Sequence, residues 1–333
     1  MKIINDKKLH FKDVLIKPKA TELSSRSDVN LVVKYITKHS NKMFTGVPVC
    51  VANMDTVGTI AMAKALYEHK MWVALHKFIE TQDLIRFLST EESKYSFVTI
   101  GSSKDDYGKL LYIDKIVHRP INICMDVANG YMYSFLDHIK IVRDNFPNSI
   151  IMAGNVCTPE GVENIIKAGA DIVKCGIANG SFCDTKNKAG VGYPQLSVAM
   201  ECGQAANELN AMCCSDGGIK TPADICKAIA AGSHLVMCGT MFGGHTECNA
   251  EFIEVGGKKY LKMYGMSSKI ANEKYFGGLK SYRASEGTEG MILYKGDVYD
   301  TCVDIKGSLA SCCTYTNTAN LENLYKHTEF ILV

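Results

Sequence analysis

A cysteine on a glycine-rich loop, two residues before a threonine hydroxyl, is the pairing in this sequence best suited to nucleophilic chemistry. Residues 177–194 (Ile-Ala-Asn-Gly-Ser-Phe-Cys-Asp-Thr-Lys-Asn-Lys-Ala-Gly-Val-Gly-Tyr-Pro) carry three glycines, a proline, Cys183 and Thr185. Glycine lets backbone approach a ligand closely, and a thiol on such a loop is exposed and positioned rather than packed. Most cysteines are small buried hydrophobes. Cys50, Cys124, Cys175, Cys213, Cys214 and Cys238 sit in or beside apolar runs and fit that description. Local composition leaves a catalytic and a packing role open for Cys183.

A thiolate can attack an electron-poor ring carbon, and such an adduct needs an acid/base to move protons to and from the leaving group. Thr185 is close enough to relay a proton but too weak a base to act alone, so a carboxylate should stand behind it. Glu286, in Arg-Ala-Ser-Glu-Gly at 283–287, can supply one, although the simpler reading of Glu286 by itself is a solvated loop charge. Asp216-Gly217-Gly218 and Gly239-Thr240 offer backbone N–H groups suited to a phosphate, with Ser181 and Ser267 as further donors. Asp216 itself would repel phosphate and suits a ribose diol. The expected ligand is therefore a nucleoside monophosphate.

These residues recur at the ends of strand-like runs. Short apolar runs at 47–52, 72–76, 97–101, 121–127, 149–153, 171–175, 211–215 and 234–238 alternate with amphipathic stretches such as 60–69, 132–146, 159–168 and 194–209. Near-continuous apolar strands are buried on both faces, which an α/β (β/α)8 TIM barrel requires. A doubly wound sheet is the alternative, but no G-x-G-x-x-G opens a helix after the first strand. In a barrel the active face lies at the carboxyl ends of the strands. Asn53-Met54-Asp55, His76-Lys77, Asp126 with Asn129-Gly130, Gly154-Asn155, the Cys183 loop, Asp216-Gly217-Gly218 and Gly239-Thr240 all follow a strand. One such group reads as a turn; seven together predict a site. Residues 251–295 intervene before a closing helix at 298–311 and read as an active-site flap, with Gly256-Gly257 as its hairpin turn. Residues 1–45 read as an irregular arm, and the whole chain as one catalytic domain.

Composition removes several function classes. The 37 Lys and Arg against 35 Asp and Glu give a formal net charge of +2, without the clustered positive charge of a nucleic-acid binder. No apolar run is long enough to span a membrane. The charged stretch Met1 to Lys8 has no apolar segment behind it, and fourteen cysteines without a disulfide-framework spacing predict free thiols in a reducing cytoplasm. His245 and Cys248 have a metal-like spacing, but two ligands do not make a zinc site.

Ala52-Asn53-Met54-Asp55-Thr56-Val57, Asp126-Val127-Ala128-Asn129-Gly130-Tyr131, Ala153-Gly154-Asn155-Val156, Gly180-Ser181-Phe182-Cys183-Asp184-Thr185, Ser215-Asp216-Gly217-Gly218, Tyr264-Gly265-Met266-Ser267-Ser268 and Tyr282-Arg283-Ala284-Ser285-Glu286-Gly287 together resemble the IMP dehydrogenase/GMP reductase family, from about Leu9 to Phe330. The dehydrogenases usually insert regulatory CBS modules after strand two. The short stretch from Lys77 to Asp126 leaves no room for them, and the Arg-Ala-Ser-Glu-Gly flap has the reductase form. The resemblance implies NADPH-dependent conversion of GMP to IMP and ammonia. Dehydrogenase-like oxidation of IMP and nucleotide binding without turnover are the alternatives.

In that reading Cys183 adds to purine C2, Thr185 and Glu286 handle protons, and Lys77 serves the chemistry beside the cofactor. GMP meets Asp216, Gly217, Gly218, Gly239, Thr240, Gly265, Met266, Ser267, Arg283, Ala284, Ser285 and Gly287. NADPH meets Lys77, Asp126, Val127, Ala128, Ile177, Ala178, Tyr282 and Arg283, with Ser25, Arg26, Ser311, Cys312, Cys313 and Thr314 from a neighbouring subunit of a homotetramer. The resemblance also implies a monovalent cation such as K+ at Ala178, Gly180, Cys183 and Lys186. Ala178 stands where the family usually has glycine, and alanine tolerates fewer backbone conformations.

Overall fold

The computed structural model describes residues 3–282 and 284–333 of the chain. Eight strands, β1 (Met43–Val51), β2 (Met71–Leu75), β3 (Ser96–Ile100), β4 (Ile123–Asp126), β5 (Ile151–Val156), β6 (Ile172–Cys175), β7 (Met212–Asp216) and β8 (Leu235–Cys238), each pair in parallel with the next. β8 then pairs with β1 through Val236↔Val49, Met237↔Cys50 and Cys238↔Val51. That last pairing closes the barrel and excludes a doubly wound sheet, whose edge strands never meet.

The strands form where they do because both of their faces are covered. Every residue of β2, β3, β6 and β8 is buried, between the barrel interior and the surrounding helices. Burial of each Val, Leu or Ile side chain contributes about 1.5–3 kcal/mol, so a slip of register would be costly. The crossover helices start at residues built to cap them. Thr59 accepts from the Met62 amide and Thr158 from the Gly161 amide, with Pro159 in the first turn of its helix.

Within residues 1–45, which read as an irregular arm, two short strands are paired. Val14–Ile16 pairs antiparallel with Phe330–Leu332, and Val33–Ile36 pairs antiparallel with the start of β1. Three- and four-residue strands whose partners lie far away in sequence leave almost no periodicity to read. The arm is also tied down by charge. Asp171, fully buried just before β6, accepts from the backbone amides of His39 (2.8 Å), Ser40 (3.0 Å) and Ile151 (3.0 Å) and from Arg143 Nη2 (2.7 Å). Four donors on one carboxylate offset the cost of burying it, and fix the arm beneath the amino ends of the strands.

After β8 the chain builds a three-stranded antiparallel sheet from Phe252–Val255, Lys258–Tyr264 and Glu289–Leu293. The helix Lys269–Phe276 lies between the second and third of these strands, and the helix Tyr299–Tyr315 follows, running past the end expected for it. Among the described residues no helix is long and apolar enough to cross a membrane.

Two histidines are held neutral inside this framework. His76, after β2, and His234, before β8, are both pushed down to about 4 by burial, and each Nδ1 accepts a backbone amide at 3.2 Å, from Phe78 and Cys213 respectively. The folded values lie below the unfolded one, so between them the unfolded chain binds more protons than the native chain. Stability is therefore complete above pH ~6.5 and falls as pH drops from there towards ~4, by about 3 kcal/mol for the buried His76. Denaturant midpoints should be flat between pH 7 and 8 and decline below pH ~6.5. A His234→Gln chain should show a shallower decline; an unchanged slope in that variant would remove His234 from this account.

Candidate active site

A cavity of about 870 Å³ opens at the carboxyl ends of the strands. The turns that follow them line it, as barrel geometry requires. Cys183, Thr185 and Glu286 all face it, as do Asp216, Gly217, Gly218, Gly239, Thr240, Gly265, Met266, Ser267 and Gly287, and Asp126, Val127, Ala128, Ile177, Ala178 and Gly180.

The flap sheet brings Glu286 to the cysteine loop by backbone pairing. The Asp184 amide donates to Glu286 O at 2.6 Å, the Thr288 amide donates to Phe182 O at 3.0 Å, and Cys183 forms an antiparallel bridge with Gly287. Gly265 must be glycine at this crossing, because a Cβ there would lie 2.5 Å from Phe182 O. The side chains follow. Cys183 Sγ donates to Thr185 Oγ1 at 3.3 Å, and Thr185 Oγ1 donates to Glu286 Oε2 at 2.6 Å. Among the fourteen free cysteines only Cys183 is exposed. Burial instead pushes thiols such as Cys124 up to about 12, which keeps them inert.

The same cavity is also lined by a buried cation that the sequence reading missed. Lys174, fully buried in β6, bonds Asp126, lies 3.4 Å from Asp216 Oδ2 and donates to Asn53 Oδ1 at 3.4 Å. Burial works against its charge, but Asp126 and Asp216 outweigh it and hold the ammonium well above its ordinary pKa. The Asp126 carboxyl shows the converse: burial pushes it up, and the charge and hydrogen bond of Lys174, with Asn53 and Lys77, bring it below the usual carboxylate value. Asn155, whose amide donates to Asp216 Oδ2 at 2.8 Å, and Gln195, which donates to Cys175 O and Ser215 Oγ, complete the support beneath the cavity. A signal for Lys174 was present, since it is the one charged residue in the apolar run at 171–175 once Asp171 is taken as the turn before it.

Also on the cavity wall, Ser181 Oγ and Thr240 Oγ1 share a hydrogen bond of 3.0 Å. Gly217 and Gly218 both adopt positive φ, +100° and +77°, which leaves the chain after β7 free of side chains where it faces the cavity. Ala178 also adopts a positive φ, +66°. A left-handed alanine costs roughly 1–2 kcal/mol, so the backbone retains the shape that glycine would take more easily.

Several expected residues stand elsewhere. Lys77 does not line the cavity; its Nζ donates to Asp106 Oδ2 at 3.3 Å and lies over the Phe276 ring. Lys186 and the flap residues Ala284, Ser285 and Tyr282 are likewise absent from its lining, and Arg283 lies outside the described residues. Ser25 and Arg26 are exposed on a short 3-10 turn packed against the helix that carries Ser311, Cys312, Cys313 and Thr314. Neither segment lines this cavity. Cys313 is fully buried there, so its thiol is not presented at the surface.

A further buried hub fastens the flap. Asp55, fully buried at the end of β1, accepts on Oδ2 from Tyr264 Oη (2.6 Å), Tyr275 Oη (2.7 Å) and Lys274 Nζ (3.0 Å), while its own amide meets Met266 Sδ at 3.5 Å. Burial, then the hydrogen bond to Asp55 and its charge, pushes the Tyr264 phenol up to about 12, so it remains a donor at neutral pH. Tyr275 also stacks on Phe78 with ring centres 3.6 Å apart. Asp55 was legible as a strand-end polar residue, but its partners come from a flap strand and helix that only the fold brings near.

Comparison with known proteins gives this architecture relatives. Residues 8–333 match the IMP dehydrogenase / GMP reductase domain. The chain is 46% identical over 330 residues to GMP reductase 1 of Mus musculus, covering 98% of this chain and 96% of that protein. It is equally similar, at 46%, to GMP reductase of Vibrio campbellii over 336 residues, with 100% and 97% covered, and to GMP reductase of Caenorhabditis elegans over 335 residues, with 100% and 94% covered.

Proposed function

We propose that this chain, which belongs to the IMP dehydrogenase/GMP reductase family, catalyses the NADPH-dependent reductive deamination of GMP to IMP and ammonia. The observation that carries the reading is the contact series Cys183 Sγ, Thr185 Oγ1, Glu286 Oε2 on the cavity wall. An exposed thiol can lose its proton to water and add to purine C2 of GMP. The Thr185 hydroxyl, beside the sulfur, then lies beside the amino group on the same carbon. Glu286, through Thr185, delivers the proton with which that group leaves as ammonia, and the purine stays bonded to sulfur. NADPH, when bound, supplies the hydride that reduces C2. Departure of the Cys183 thiolate releases IMP, and the balance is GMP, NADPH and a proton giving IMP, ammonia and NADP+.

The remaining roles follow the lining. Asp216 has one carboxylate oxygen held by Asn155 and Lys174, which leaves the other for the ribose diol. Gly217, Gly218, Gly239, Thr240 and Ser181 take the phosphate, and Gly265, Met266, Ser267 and Gly287 border the base, with Arg283, Ala284 and Ser285 from the flap. Asp126, Val127, Ala128, Ile177 and Ala178 share the cavity with Cys183 and fit the nicotinamide end. Carbonyls of the cysteine loop at Ala178, Gly180, Cys183 and Lys186 would hold a K+ ion, although Gly180 O also closes a turn onto the Cys183 amide at 3.0 Å. GMP-dependent loss of NADPH absorbance tests the reading. NADH formation from IMP would favour the dehydrogenase reaction, and tight binding without either change a nucleotide-binding barrel.

The adenosine end of NADPH has no residues in this subunit's cavity. Ser25 and Arg26 lie at a turn packed against the helix that carries Ser311, Cys312, Cys313 and Thr314, which suits a homotetramer where each cofactor bridges two subunits. A guanidinium binds the 2′-phosphate in a bidentate manner. Arg26→Ala should raise the Michaelis constant for NADPH about tenfold and leave that for GMP within about twofold. Unchanged NADPH dependence, or full activity in a diluted monomer, would refute the shared site.

A further inference from the structure

The polar surface at the phosphate end does not stop with the main cavity. A second cavity, of about 310 Å³, adjoins it and is lined by Ser181, Thr240, Lys220, Lys295, Thr301 and Asp304, among others. Ser181 and Thr240 line both cavities, and their hydroxyl–hydroxyl contact of 3.0 Å is the partition between them. On the far side stand two ammonium groups and one carboxylate. Lys295 Nζ is placed on the wall by donating to Met241 O at 2.9 Å, and the Lys220 backbone is fixed by its amide on Asp224 Oδ2 at 3.0 Å. Thr301 and Asp304 face this space from the start of the helix Tyr299–Tyr315.

We propose that the second cavity is a subsite for one further phosphoryl group, so that the chain binds purine nucleoside 5′-diphosphates in competition with GMP. Base and ribose occupy the main cavity, the first phosphate displaces the Ser181–Thr240 contact, and the second lies between Lys220 and Lys295. Two cations against the single charge of Asp304 leave the pocket net positive for the added dianion. The inference rests on the proposed placement of the GMP phosphate at Ser181 and Thr240. It deepens that reading by extending the ligand class from monophosphates to diphosphates. A diphosphate excludes GMP, so the subsite would make the enzyme responsive to the phosphorylation state of the guanine nucleotide pool.

Calorimetric binding of GDP and GMP to the full chain, alongside GMP turnover, tests it. In the unaltered enzyme GDP should compete with GMP and bind within about tenfold of it. The lysines are exposed and screened, so Lys220→Gln with Lys295→Gln should weaken GDP by about tenfold and leave the Michaelis constant for GMP within about twofold. Asp304→Asn, which removes the opposing charge, should tighten GDP and leave GMP unchanged, and keeps the test intact if the double variant fails to fold. GDP binding more than about a hundredfold weaker than GMP, or indifferent to all three substitutions, overturns the subsite. If instead the unaltered chain fails to consume NADPH with GMP, it is the proposed reaction that fails.

Discussion

Cys183→Ala is expected to lose turnover by a factor on the order of 10⁴ or more, while GMP affinity changes only a few-fold. The exposed thiol is the one nucleophile on the cavity wall with a hydroxyl and a carboxylate lined up behind it. The ribose and phosphate contacts assigned to Asp216, Gly217, Gly218 and Thr240 do not involve the sulfur, so binding survives its removal. Loss of turnover without loss of binding marks an interaction made along the reaction rather than in the ground state. Fold should also survive: Cys183 is held by backbone contacts, its amide to Gly180 O at 3.0 Å and its bridge to Gly287, which alanine retains. NADPH absorbance gives the rate and calorimetry the GMP affinity. A variant that kept a few per cent of the activity would sink the covalent route. Replacement of buried thiols such as Cys213 or Cys238 should cost stability and spare the chemical step.

The parts of this site that were legible in the sequence are those that sit where a strand ends. Apolar runs bounded by polar and glycine residues gave the eight strands to within a few residues, and with them the side of the barrel to which Asp126, Asp216 and Thr240 belong. Chemistry gave Cys183 and Thr185, because a thiol and a hydroxyl two residues apart on a glycine-rich loop lie close whatever the fold does. Glu286 is different in kind. It lies 101 positions from Thr185 in sequence, and only the pairing of the flap with the cysteine loop brings them together. By residue type alone it read better as a solvated charge, and the resemblance to a known family made it specific.

The misses have the same origin. Lys174, Asn155 and Gln195 act through partners on other strands, so their roles depend on strand order and register. Asp55 waits on Tyr264, Lys274 and Tyr275, all contributed by the flap. The amino-terminal segment reads as irregular because its two strands are short and one of them pairs with the opposite end of the chain.

The distance between Thr185 and Glu286 leads to a prediction that separates the two halves of the reaction. Glu286→Gln should slow release of ammonia from GMP by roughly 10²–10⁴, the usual worth of a positioned acid/base. The amide oxygen of glutamine can still accept the Thr185 hydroxyl, and the backbone carbonyl that receives the Asp184 amide at 2.6 Å is unaltered. Geometry is therefore kept and proton delivery removed. The reverse hydride step, in which IMP and NADP+ form the cysteine-bound purine and NADPH, involves no amino group and should proceed within about tenfold of the unaltered rate. Rapid mixing of IMP with NADP+ and enzyme reads that step by NADPH absorbance; GMP with NADPH reads the full cycle. Thr185→Ala should reproduce the pattern and Thr185→Ser should restore activity, since serine keeps the hydroxyl at the position that links sulfur to carboxylate. Equal loss of both half-reactions in Glu286→Gln would mean that the carboxylate also ionises the thiol, because that is the proton transfer the two directions share.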